Sequence, residues 1–275
     1  MNSPRISILL SAFLSILLFH SRTTTSQEVE DEREFNYLEG SGHGPEHWGE
    51  LNTTWELCKN GDMQSPIDLL DERVQVVPDL GKLKRSYKPT NAILKNRGHD
   101  IMLKWVDSAG SIHINGTQYW LHQFHWHSPS EHTIQGRRYD LEMHMVHESS
   151  DGKTAVIGIM YKIGRPDTFL SELTKHIEAI ADTHEGERQV GVIDPRHLKI
   201  GSRMYHRYIG SLTVPPCTQG VLWTIIKKIR TVSREQVRLL RKAVNDDFER
   251  NARPTQAINK RAIHLYRPRP DDLRS

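Results

Sequence analysis

Five runs of this chain favour extended backbone, and they constrain its fold more than any other feature. Residues 101–106, 119–127, 141–147, 155–163 and 221–229 are rich in β-branched and aromatic side chains and are separated by turn signals. Asn115-Gly116, between 112–114 and 118–120, is a two-residue hairpin turn. Helical signals are fewer. Phe169, Leu173, Ile177 and Ile180 form one apolar stripe, and Ser233 with Gln236 makes a capping box ahead of Val237, Leu240, Val244 and Phe248. No repeat or low-complexity linker interrupts the 275 residues, and 36% hydrophobic content is enough for one substantial core, so a single domain is expected from about residue 35.

Strand geometry turns this pattern into chemistry. Side chains at i and i+2 of an extended chain share a face, so His125 and His127 of Leu121-His-Gln-Phe-His-Trp-His127 can reach one metal ion. His144, in Leu141-Glu-Met-His-Met-Val-His147, would supply a third nitrogen from a neighbouring strand. The fourth tetrahedral position then stays open, as in catalytic zinc sites. Gln123 shares the face of the first pair and Glu142 that of His144, so each offers an acceptor for a ring N–H. The chain holds 16 histidines, however, so spacing alone leaves a metal site and a chance pair both open. His122, His132 and His147 read as hydrogen-bonded structural residues. A zinc peptidase is disfavoured, because no H-E-x-x-H occurs.

Six ordered segments carry a family resemblance: Gln64-Ser-Pro-Ile67, Asn96-Arg-Gly-His99, Gln123-Phe-His-Trp-His127, Ser130-Glu-His-Thr133, Leu141-Glu-Met-His144 and Gly210-Ser-Leu-Thr-Val-Pro-Pro216. With Gly44-Pro-Glu-His-Trp48 and the run around Trp223, they resemble the α-class carbonic anhydrases from about residue 37 to about 261. The resemblance implies a mainly β (α+β) single domain. It would have a large, mostly antiparallel, twisted central sheet, short peripheral helices, and one zinc per chain at the base of a conical cleft. The implied reaction is hydration of carbon dioxide to bicarbonate by zinc-activated hydroxide, for which carbonic anhydrase itself is the reference case.

By matching position, Thr213 would take the hydroxide's hydrogen and donate its own to Glu131. Val146, Val156, Leu212, Val221 and Trp223 would form an apolar wall for the substrate, and His99 would shuttle protons. Tyr37 matches a tyrosine that orders water. There are departures: Arg97 stands where an asparagine is common and would depress the His99 pKa, Val214 replaces a second threonine, and Ser128-Pro129-Ser130 is short. The alternative is a non-catalytic secreted storage or recognition protein on the same fold, but such a protein would be expected to have lost a ligand histidine.

The chain ends carry further expectations. An apolar stretch at 6–19 behind Arg5, about 14 residues, is shorter than the roughly 20 needed to span a bilayer and reads as part of a signal peptide covering 1–26. An acidic segment, 27–34, would precede a catalytic domain at 35–262 and a basic tail at 263–275 around Arg267 and Arg269. Formal charge is +3, and removing Arg5 and Arg22 with the signal leaves 35 basic against 34 acidic residues, which gives no reason to expect nucleic acid. No membrane span is expected in the mature chain. Carbon dioxide and bicarbonate are the expected partners, and nothing in the sequence fixes the oligomeric state. Entry to the secretory route implies an extracellular address, or the plastid stroma reached through the endoplasmic reticulum. Cys58 and Cys217 are then expected to pair, as in secreted members of the family. Sequons at Asn52 and Asn115 could carry glycans.

Overall fold

The computed structural model describes residues 34–181, 186–245 and 247–269. The expected signal peptide, nearly all of the acidic segment and the last residues of the tail lie outside them. Thirteen strands among the described residues join one large sheet. Its centre is built from β1 (Ile101–Trp105), β2 (Thr117–His127), β3 (Leu141–Ser149), β4 (Thr154–Ile163), β5 (Tyr205–Ser211) and β6 (Gln219–Ile226). Across the sheet the order is Glu187–Ile193, Thr90–Asn96, β1, β2, β3, β4, β6, β5, Ile263–Tyr266 and Val74–Val76. Most neighbours run antiparallel, but β4 pairs parallel with β6, as does Ile263–Tyr266 with Val74–Val76, so the sheet is mixed.

The two faces of the sheet bury different material. Leu141, Met143 and Met145 of β3, with Ala155, Ile157 and Ile159 of β4, pack on one face against Phe169, Leu173, Ile177 and Val237. The last four belong to α1 (Thr168–Ile180) and α2 (Arg234–Ala243). Asp167 caps α1 by accepting from the Leu170 N–H, and the Ser233–Gln236 capping box starts α2 as its sequence requires. The opposite face carries Val156, Leu212, Val221 and Trp223. Fully burying one such aliphatic side chain stabilises the fold by about 1.5–3 kcal/mol.

One irregularity decides which face the histidines take. Val146 pairs with Gln123 but His147 pairs with Leu121, so His122 is an extra residue, a β-bulge. Before it the odd residues Tyr119 and Leu121 face the helix-side core; after it the even residues Phe124 and Trp126 do. The bulge thus turns Gln123, His125 and His127 onto the other face. At the tip of the hairpin leading into β2, Asn115 and Gly116 have φ of 51° and 80°, as the expected turn demands.

Several expected boundaries move. The run 221–229 is a strand only to Ile226, and Arg230–Val232 separately pairs parallel with β4. Helix α2 stops at Ala243, and Phe248 packs instead with Phe35, Trp48 and Trp55. Residues 263–266, expected to open a basic tail, form a strand of the sheet because Ile263, Leu265 and Tyr266 supply buried apolar surface. Cys58 and Cys217 are disulfide-bonded across 159 residues, tying the turn Leu57–Asn60 to the segment that follows Thr213. Closing a loop of that length stabilises the chain by about 2–5 kcal/mol.

Candidate metal centre

His125 and His127 lie on β2 and His144 on β3, with His144 directly opposite His125 in the ladder. One ring nitrogen from each of the three comes within 4.8 Å of the other two, and all three residues are buried. The remaining ring nitrogens are held from behind. His125 Nδ1 lies 2.8 Å from Gln123 Oε1, His127 Nδ1 lies 2.7 Å from the Asn251 carbonyl, and His144 Nε2 lies 2.9 Å from Glu142 Oε1.

Each of those partners accepts a hydrogen bond, so each rear nitrogen must carry the ring proton. The inward nitrogens, His125 Nε2, His127 Nε2 and His144 Nδ1, are therefore bare lone pairs. His125 Nε2 and His144 Nδ1 sit 3.2 Å apart, a separation that two facing lone pairs tolerate only with a cation between them. Burial drives His125 well below its usual pKa, although Asp100 pulls it up, and burial likewise lowers His144 against the pull of Glu142. Neutral imidazoles are what a metal requires. The donor set fits zinc.

Glu142 anchors the site. Its Oε2 accepts from the backbone N–H groups of Glu131 at 2.9 Å and His132 at 2.8 Å, and its Oε1 accepts from His132 Nδ1 at 2.7 Å as well as from His144. Burial alone would raise its pKa, but His132 and His144 outweigh burial and hold it well below the carboxylate range. His132 continues the network through its Nε2 to the Tyr208 hydroxyl at 2.7 Å, and Tyr208 meets Ser65 Oγ at 2.8 Å. His132, Glu142 and His144 also lie close enough to hold an ion, but both ring contacts on Glu142 are hydrogen bonds to one carboxylate. His147 is similarly structural, with Nε2 2.8 Å from the Tyr87 hydroxyl, whereas His122 is the exposed residue of the bulge. Space beside Glu142 is tight: a Cβ on Gly158, opposite His144, would stand 3.0 Å from Glu142 Oε1 and 2.7 Å from Ile225 Cδ1.

Glu131 Oε2 is 3.6 Å from His127 Nε2 and 3.9 Å from His144 Nδ1. Its Oε1 accepts from the Arg253 N–H at 2.9 Å, and the Thr213 hydroxyl bonds the same carboxyl. Burial pushes Glu131 up to about 7, against the pull of His144 and the bond from Thr213. Trp223 lies edge-on to His144 at 4.8 Å, in the same cluster as Val156, Leu212 and Val221, with Val146 packed against it. The structure thus brings the expected ligands, the Thr213–Glu131 pair and the apolar wall to one place.

The surroundings of two expected features differ from the simple reading. His99 is 0% exposed beneath Phe35, whose ring is 5.5 Å away, so in this conformation it has no direct contact with solvent. Nor does Arg97 leave a lone positive charge beside it. Arg97 binds Asp100 through Nε at 2.8 Å and Nη2 at 2.5 Å, and Asp100 Oδ2 lies 3.7 Å from His99 Nε2, so the pair is locally neutral. The intervening Gly98-His99 dipeptide turns Asp100 back onto Arg97, a local i,i+3 contact that depends on the turn. Sequence reasoning also missed Asn251 and Arg253. Both reach the site through backbone atoms, the Asn251 carbonyl on His127 and the Arg253 N–H on Glu131, in a stretch without regular structure, and nothing in side-chain pattern points to them.

The profile of the eukaryotic-type carbonic anhydrase family matches residues 43–267. Alpha carbonic anhydrase 7 of Arabidopsis thaliana is 58% identical over 261 residues, covering 95% of each chain. Among solved structures, dioscorin complexed with ascorbate superposes with a TM-score of 0.84 at 46% identity, covering 86% of this chain and 99% of that one. The α-carbonic anhydrase of Thermovibrio ammonificans in complex with the inhibitor sulfanilamide gives 0.76 at 34% identity, covering 84% and 98%. This chain belongs to the eukaryotic-type α-carbonic anhydrase family.

Proposed function

We propose that the chain catalyses reversible hydration of carbon dioxide to bicarbonate and a proton, with one zinc ion held by His125 Nε2, His127 Nε2 and His144 Nδ1. The observation that carries this reading is the convergence of three lone-pair nitrogens next to the Thr213–Glu131 pair. Zinc bound there supplies Lewis acidity and makes water nucleophilic at neutral pH, an effect for which carbonic anhydrase is the reference case. A divalent ion would also draw Glu131 back toward its ionised, accepting form.

The rest is work for the protein's own atoms. Arg253 N–H fixes the Glu131 carboxyl, which accepts the Thr213 hydrogen. A threonine oxygen committed in this way can only accept from the attacking oxygen, which orients that oxygen's lone pair toward the substrate. Val146, Val156, Leu212, Val221 and Trp223 offer carbon dioxide an apolar surface beside the metal ligands. Val214, 2% exposed, adds no hydroxyl beside them. With His99 covered, proton export to buffer is the slow step in this reading.

The second reading, a non-catalytic storage or recognition protein, draws on the similarity to dioscorin. The intact ligand set favours the enzyme. We further place the mature chain in the secretory route, ending outside the cell or in the plastid stroma, with glycans at Asn52 and Asn115; the disulfide suits passage through the oxidising endoplasmic reticulum. Zinc analysis with stopped-flow carbon dioxide hydration on disulfide-bonded protein tests the function. One zinc per chain with hydration lost on chelation is expected; one zinc with no hydration would favour the second reading.

A further inference from the structure

The helix-side face of β5 holds a buried positive charge that no negative charge answers. Arg207 is 5% exposed, and its one hydrogen bond among the described residues runs from Nε to Thr224 Oγ1 at 3.0 Å. Its guanidinium lies 4.9 Å from the centre of the Tyr205 ring, a contact that offsets part of the cost of burial but occupies no N–H. Burial lowers its pKa, opposed by Tyr205 and Tyr119, and no carboxylate among the described residues acts on it. The two other buried arginines carry acceptors on their terminal nitrogens, Arg97 from Asp100 and Arg253 from Gln64 Oε1 and the carbonyls of Ser65 and Cys58. Nη1 and Nη2 of Arg207 instead present four N–H donors with no acceptor among the described residues, yet neither nitrogen is fully enclosed. A desolvated guanidinium in that state is costly unless something outside the chain pairs with it.

The strand register supplies a way in. Directly opposed residues share a face of the sheet, and Arg207 stands opposite Thr224 on one side and His264 on the other, with Gln75 opposite His264. Exposure rises along this polar row, from buried Thr224 through Arg207 and half-buried His264 to exposed Gln75 on the edge strand Val74–Val76. The guanidinium is thus approached from the sheet edge. We propose that Arg207 is the base of a binding site for a small planar oxyanion with two oxygens on one carbon, a carboxylate or bicarbonate. Thr224 holds Nε, which leaves the Nη1–Nη2 edge as the free fork, and that edge matches two such oxygens through a pair of parallel N–H···O bonds. One unanswered positive charge calls for one negative charge, which disfavours doubly charged phosphate. His264 and Gln75 stand beside the fork along the row and can each donate a further hydrogen bond. The site lies on the face opposite the metal ligands and is independent of the functional reading above.

The test titrates acetate and bicarbonate separately into the zinc-loaded full chain while nitrogen NMR follows the Arg207 Nε–H signal, which sits beside the fork and far from the metal. A saturable shift is expected, with chloride binding at least about tenfold more weakly because a single atom cannot span both nitrogens. Tighter binding of acetate points to organic carboxylates and tighter binding of bicarbonate to the inorganic ion; either result supports the site. Arg207→Lys keeps the charge and loses the fork, so it should bind acetate at least about tenfold more weakly. Arg207→Met should lose the part of the acetate-dependent rise in unfolding temperature that this site contributes, while any part due to acetate on zinc remains. An Arg207 signal that stays still throughout both titrations means that water alone solvates the guanidinium, and it overturns the proposal whether or not the variants fold. Equal acetate-dependent rises in the parent and Arg207→Met also overturn it, as does phosphate binding more tightly than either planar anion.

Discussion

Glu142→Gln removes one charge and two lone-pair sites while keeping volume, so it isolates what the carboxylate does. The native group accepts four hydrogen bonds, two from backbone N–H groups on Oε2 and two from imidazoles on Oε1. A carboxamide can serve only one of these pairs, because its NH2 must face the other. If NH2 faces the backbone, two buried N–H donors lose their acceptor at about 1–3 kcal/mol each, roughly 2–6 kcal/mol of stability. If it faces the rings, His144 must become an acceptor at Nε2. Its proton then moves to Nδ1, the nitrogen that should bind the metal, and zinc affinity falls about 10–100-fold. Urea unfolding of zinc-free protein and chelator competition for zinc measure the two outcomes separately. Stability within about 1 kcal/mol of the parent and zinc affinity within about threefold would together refute the tautomer argument.

Arg97 and Asp100 are 4% and 1% exposed, so Asp100→Asn should cost about 3–5 kcal/mol by stranding a buried guanidinium, and an Arg97→Met, Asp100→Leu double variant should cost less. Thermal or urea unfolding decides this, and equal losses would contradict it. Burial lowers His147 from 6.5 to about 3, so the unfolded chain takes up its proton first as pH falls. Stability should therefore be unaffected by this residue above pH 6.5 and should decline by about 1.4 kcal/mol per pH unit from there to about pH 3. His147→Gln should remove that slope from pH-dependent unfolding curves. Because His99 is covered, added imidazole buffer should raise steady-state carbon dioxide hydration severalfold; a rate independent of buffer would show that protons leave efficiently without it.

The sequence was most informative where function depends on side-chain type at fixed strand spacing. The H-x-H pair, the third histidine, and Gln123 and Glu142 behind them all follow from period-two geometry once strands are assigned, and the hairpin at Asn115-Gly116 and the capping box at Ser233 follow from local chemistry. Contacts between distant segments were not legible. The Asn251 carbonyl behind His127 and the Arg253 N–H on Glu131 are backbone atoms, which almost any residue type other than proline could supply. The burial of His99 depends on where Phe35 packs, far away in sequence. Arg97 and Asp100, by contrast, are only three residues apart, and their pairing follows from the turn through Gly98.

The bulge at His122 shows why alternation by itself was an incomplete guide. Simple period two places Tyr119, Leu121, Gln123, His125 and His127 on one face, but the first two belong to the apolar core and the last three to the metal face. One extra residue reconciles the two halves of the strand. Deleting His122 should force a choice between burying Gln123, His125 and His127 in an apolar core and exposing Tyr119 and Leu121. Either outcome should abolish zinc binding or stable folding. His122→Ala keeps the extra residue and alters only an exposed side chain, so it should change stability by no more than about 0.5 kcal/mol and leave zinc affinity intact. Zinc titration and unfolding of both variants separate backbone length from side-chain chemistry. A deletion variant that binds zinc like the parent would mean that the register between β2 and β3 does not set the face of the ligands.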